Sequence, residues 1–97
     1  MIGNKHPLIE SHIIISGKVQ GVFFRAKTKD HAERLGLKGY VQNLSNGSVE
    51  ICIAGEDVDR LLEALKKEPE PIQIDKIEIS KCPSTKAYES FTIKSRA

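Results

Sequence analysis

The sequence predicts a two-layer α/β (α+β) sandwich with elements in the order β, α, β, β, α, β and a short extra strand at the C-terminal end. Three observations carry that prediction. Two helical stripes alternate with β-branched runs, an Asn-Gly pair separates two strands mid-chain, and 97 residues suffice for one unit with a single modest core.

Residues 8–17 are dense in β-branched side chains, with Ile13-Ile14-Ile15 at the centre, and so short an apolar run predicts a buried central strand. Over 24–35, Phe24, Thr28, Ala32 and Leu35 share one helical face, and Gly36 follows as a left-handed C-cap. Residues 39–44 and 48–53 flank Ser45-Asn46-Gly47, where a hairpin needs positive φ. In the second of these strands Val49, Ile51 and Ile53 alternate with Ser48, Glu50 and Cys52, which predicts that Cys52 lies on the exposed side. Val58, Leu61, Leu62 and Leu65 then form an i, i+3, i+4, i+7 stripe over 57–67, with acidic residues at its start and Lys66-Lys67 at its end. Pro69 and Pro71 stop this helix. Residues 72–80 return as a strand whose phase breaks near Asp75, predicting a bulge; 82–86 read as a loop and 91–93 as the last strand. Two right-handed βαβ halves in this order give the ferredoxin-like arrangement, an antiparallel sheet with both helices on one face. Residues 8–97 form the domain, and 1–7 a flexible lead-in.

A formal net charge of +2 is too mild for a nucleic-acid binder, which carries a clustered basic excess. No apolar run approaches the roughly 20 residues of a membrane span, and residues 1–7 lack the apolar stretch of a signal peptide. The expected location is cytoplasmic, so Cys52 and Cys82 are read as reduced thiols. His6, His12 and His31 are scattered, and no cluster has metal-ligand spacing. No metal site is expected.

The segment Gly17-Lys18-Val19-Gln20-Gly21-Val22-Phe23-Phe24-Arg25 has the layout of an anion cradle. Backbone N–H groups in a turn entering a helix N-terminus converge on one point, and a guanidinium beside them suits a phosphate. It is not a Walker loop, because Gly21 is followed by Val22 rather than Lys. Arg25 in a helix's first turn opposes the dipole, which an anion at that end would offset. At least one of Phe23 and Phe24 belongs to the core. Asn43 precedes a turn already served by Asn46, and its amide offers both the acceptor and the donor needed to position a water.

Together with Gly39-Tyr40-Val41-Gln42-Asn43-Leu44-Ser45-Asn46-Gly47-Ser48-Val49, the loop resembles the two signature segments of the acylphosphatase family, with matching spacing from arginine to asparagine. The resemblance runs from about Ser11 to Ile93. It implies a small, metal-free hydrolase, without cofactor, that cleaves acyl phosphates to a carboxylate and inorganic phosphate. In it the backbone of Gln20, Gly21, Val22, Phe23 and Phe24 holds the phosphoryl oxygens, Arg25 pairs with them, and Asn43 orients the attacking water. The partners so implied are a small-molecule acyl phosphate and inorganic phosphate, with no nucleic acid or membrane, and the chain is expected to be a monomer. Tyr40 stands where many members have tryptophan. Members often end in arginine and an aromatic residue near the site, whereas this chain ends Lys94-Ser95-Arg96-Ala97, which leaves open a contact between its C-terminus and Arg25. The competing readings are a phosphate or carbamoyl-phosphate sensor without turnover, and a ferredoxin-like module that binds single-stranded RNA.

Overall fold

Alternation within the first strand, β1 (Ile9–Lys18), sets the two faces of the sheet: Ser11, Ile13 and Ile15 are fully buried, while His12, Ile14 and Ser16 are half-buried. A computed structural model describes residues 8–84 and 87–95. The lead-in at 1–7, Thr85 and Lys86 of the predicted loop, and Arg96 and Ala97 lie outside the described residues. After β1 come α1 (Phe24–Arg34), β2 (Gly39–Asn43), β3 (Val49–Ala54), α2 (Asp59–Lys66), β4 (Gln73–Pro83) and β5 (Phe91–Ile93). The strands lie in the order β4-β1-β3-β2-β5. Both helices cover the face that carries Ile13, Ile15, Ile51 and Ile53, and these side chains join Phe24, Ala32, Leu61 and Leu65 in one core.

The predicted elements form, with instructive differences. Gly36 (φ +73°) ends α1 in a Schellman motif, in which the Leu37 N–H donates to Ala32 O and the Gly36 N–H to Glu33 O. The bulge falls as expected: Ser16 faces Lys76 and Gly17 faces Ile74, so Asp75 has no partner in β1. There Gly17 (φ +135°) lies so close to the Gln73 carbonyl that a Cβ would collide with it. The sheet is mixed rather than wholly antiparallel, because β5 runs parallel to β2. After β4 the chain reverses direction but crosses to the opposite edge, which sets it alongside β2. Strand β4 continues through the expected loop to Pro83, since the start of β1 pairs with it there, Ile9 opposite Pro83 and Glu10 opposite Cys82. A proline at the end of an edge strand costs no ladder bond.

Cys52 corrects the sequence reading. It does lie on the face opposite the helices, yet it is completely buried, because Glu10, His12 and Tyr88 gather around its sulfur. Alternation reported the face correctly but not what covers it.

Candidate active site

The β1–α1 loop is pinned at both ends by buried side chains, Val19 and Phe24, and this leaves the backbone between them to curve around a point. Gly21 (φ +73°) and Phe23 (φ +61°, ψ +21°) are left-handed, and Val22 between them is not. A left-handed residue on either side of one that is not is the backbone pattern of a nest, in which successive N–H groups face one side and suit an anion. For an aromatic residue the left-handed conformation costs about 1–3 kcal/mol, and such strain concentrates at functional sites. Phe24 is the core member of the aromatic pair; Phe23 is 81% exposed.

Phe23 occupies the N-cap of α1, and no side chain caps the helix. The first intrahelical bond runs from the Lys27 N–H to Phe23 O at 3.0 Å. Helix geometry therefore leaves the N–H groups of Phe24, Arg25 and Ala26 without intrahelical acceptors, and they extend the nest as an array of donors.

Arg25 is half-buried, and its Nη1 donates to the backbone oxygen of Lys94 at 3.2 Å. Lys94 in turn donates its N–H to Val41 O at 2.8 Å and lays its Nζ 4.0 Å from the centroid of the Tyr40 ring. The chain beyond β5 thus orients the guanidinium through a main-chain carbonyl, so no terminal aromatic is required for the contact. This answers the question that the sequence left open.

Asn43 is the last residue of β2, and its Oδ1 is buried with no hydrogen-bond partner. Leaving a buried acceptor unsatisfied costs about 1–3 kcal/mol, so the atom calls for a ligand or a water. Asn43 lines a cleft of about 310 Å³ together with Gly21, Phe23, Arg25 and Ile93. Larger hollows of about 580 Å³ beside His31 and Arg60, and about 600 Å³ beside Leu8 and Tyr88, have no orphan buried side-chain acceptor among the described residues.

Gln20 does more than the sequence suggested. Its Nε2 donates to both Leu44 O and Ser48 O, each at 2.8 Å, and so ties the anion loop to the β2–β3 turn just beyond Asn43. The two signature segments are thereby locked together. No local pattern signals such a bond, since the acceptors lie 24 and 28 residues away. Ile93 and Lys94 were likewise missed. A separate cluster, Glu10 with His12 and Cys52, is not visible as a spacing in the sequence; strand pairing brings these side chains together on the open face.

A family model for acylphosphatase matches residues 11–93. An acylphosphatase of Marinobacter nauticus is 40% identical over 82 residues, spanning 82% of this chain and 89% of that protein. The crystal structure of acylphosphatase from Bacillus subtilis superposes with a TM-score of 0.80 at 30% identity, covering 89% of this chain and 98% of the other. The structure of T. kodakarensis HypF matches 88% of this chain with 12% of its own length, at 35% identity and a TM-score of 0.77.

Proposed function

The chain belongs to the acylphosphatase family and is an enzyme of that family, and from this premise we propose that it hydrolyses small acyl phosphates by direct attack of water on phosphorus. The observation that supports the reading is that one cleft is lined by the β1–α1 loop, by Arg25 and by Asn43, whose buried Oδ1 has no hydrogen-bond partner.

In-line phosphoryl transfer asks a protein to position two oxygens and to neutralise charge on the equatorial ones, so fixed donors matter more than a covalent nucleophile. The N–H groups from Gln20 to Phe24 and the Arg25 guanidinium supply those donors. Asn43 Oδ1 accepts a hydrogen bond from the attacking water and so aims the water's lone pair at phosphorus. The leaving group is a carboxylate whose conjugate acid has a pKa near 4, like that of a glutamate side chain, so it departs without a general acid. The substrate is a small-molecule acyl phosphate, inorganic phosphate is released, and a single chain suffices.

The test is hydrolysis of benzoyl phosphate by purified protein in EDTA. Turnover above background is expected, with a loss of at least roughly 100-fold in Arg25→Ala, the usual cost of one transition-state donor. Phosphate binding with no turnover would replace this reading with the sensor.

A further inference from the structure

On the sheet face away from the helices, three donor atoms of different kinds converge. His12 Nε2 lies 2.9 Å from Glu10 Oε1, the Cys52 Sγ–H donates to the same Oε1 at 3.3 Å, and Sγ is 3.9 Å from Nε2. Glu10 and Cys52 are buried, and the His12 side chain is 27% exposed at the rim. Strand pairing holds the set together, with His12 directly opposite Cys52 and Glu10 opposite Ala54.

We propose that Glu10 Oε1, His12 Nε2 and Cys52 Sγ form a binding site for one zinc ion, which staples β1 to β3 on the open face. Tetrahedral zinc, at about 2.3 Å from sulfur and about 2.1 Å from nitrogen and oxygen, needs its donors about 3.4–3.6 Å apart, and each observed separation is within roughly half an ångström of that. A mixed sulfur, imidazole and carboxylate set selects zinc over the hard cations calcium and magnesium. A water completes the four ligands, with the Tyr88 hydroxyl 3.7 Å from Sγ beside it.

The surrounding groups orient each ligand. Ser84 Oγ–H donates to the other carboxylate oxygen of Glu10, and Glu50 Oε2 lies 3.5 Å from His12 Nδ1, placed to accept a hydrogen bond from Nδ1–H in the tautomer that leaves Nε2 free for a metal. Gln42 Nε2 fixes Glu50 in turn, donating to Oε1 at 2.6 Å. A carboxylate behind a ligating histidine is the usual outer layer of a zinc site.

The test uses the full chain, stripped with chelator, dialysed under a non-thiol reductant, and titrated with zinc and with cobalt(II). The expected result is one zinc per chain, a raised Tm, and a cobalt adduct with tetrahedral visible bands and a thiolate charge-transfer band. Cys52→Ala should abolish the charge-transfer band, whereas Cys82→Ser keeps it. His12→Gln, at the half-exposed rim, should weaken zinc more than tenfold while preserving the fold, and Glu50→Gln should weaken it about 10- to 100-fold. Absence of one-equivalent binding, or binding unchanged in both Cys52→Ala and His12→Gln, overturns the proposal.

Discussion

In the proposed mechanism Asn43 and Arg25 divide the chemistry between them, and each can be removed without touching the core. Asn43→Ala deletes the acceptor that orients the water but leaves the phosphate donors in place. Turnover should therefore fall about 10- to 100-fold while KM changes little, as steady-state kinetics on benzoyl phosphate will show. A raised KM at unchanged turnover would place Asn43 in ground-state binding instead. Both residues were legible in the sequence because they sit in two long motifs with fixed spacing. What the motifs did not disclose was their support: the Lys94 carbonyl that receives Arg25 and the Gln20 amide that reaches the hairpin are long-range bonds made by common residue types.

Elements turn these residues into a site. The Gln20 amide links the β1–α1 loop to the β2–β3 turn, so Gln20→Ala should loosen the nest relative to Asn43. Turnover should drop several-fold, and the two lost hydrogen bonds should cost about 1–3 kcal/mol in urea unfolding. Helix α2 contributes packing rather than chemistry. Leu65 is essentially inaccessible in the core, and Leu65→Ala should destabilise by about 2–5 kcal/mol, read as a lowered urea midpoint. An unchanged midpoint would mean that the leucine stripe is not what holds the helix down. Periodicity revealed that stripe, the phase break at Asp75 and the turn at Gly47, since each is a local signal. It did not reveal the cover over Cys52, where burial, in the metal-free chain, pushes the thiol pKa up to about 11. Tyr88 and Glu10, which provide that cover, come from opposite ends of the chain.

Across the whole molecule, stability depends on carboxylates held in their charged form. Glu68 follows α2 and meets His31 of α1 at 2.5 Å, with Lys27 at 3.6 Å. The hydrogen bond from His31, helped by the Lys27 charge, outweighs burial and lowers the carboxyl below its ordinary value of 4.5. Glu10 is lowered in the same sense, chiefly by the Ser84 hydroxyl. A depressed carboxyl contributes stability that is complete above its unfolded pKa and is lost as pH falls through the folded one. Tm should thus decline below about pH 4.5, and Glu68→Gln should flatten that decline; an equally steep profile in the variant would acquit the His31–Glu68 pair. Among the described residues no helix is long and apolar enough to cross a membrane. The two-layer architecture was readable from element order alone, whereas the parallel pairing of β5 was not, because three residues carry no sign of which edge they will join. The central claim is that the loop and Arg25 hold a phosphoryl group while Asn43 delivers water to phosphorus. Hydrolysis of benzoyl phosphate in ¹⁸O-enriched water decides it: attack of water on phosphorus puts the label in inorganic phosphate, and label in the benzoate would mean attack at the acyl carbon instead.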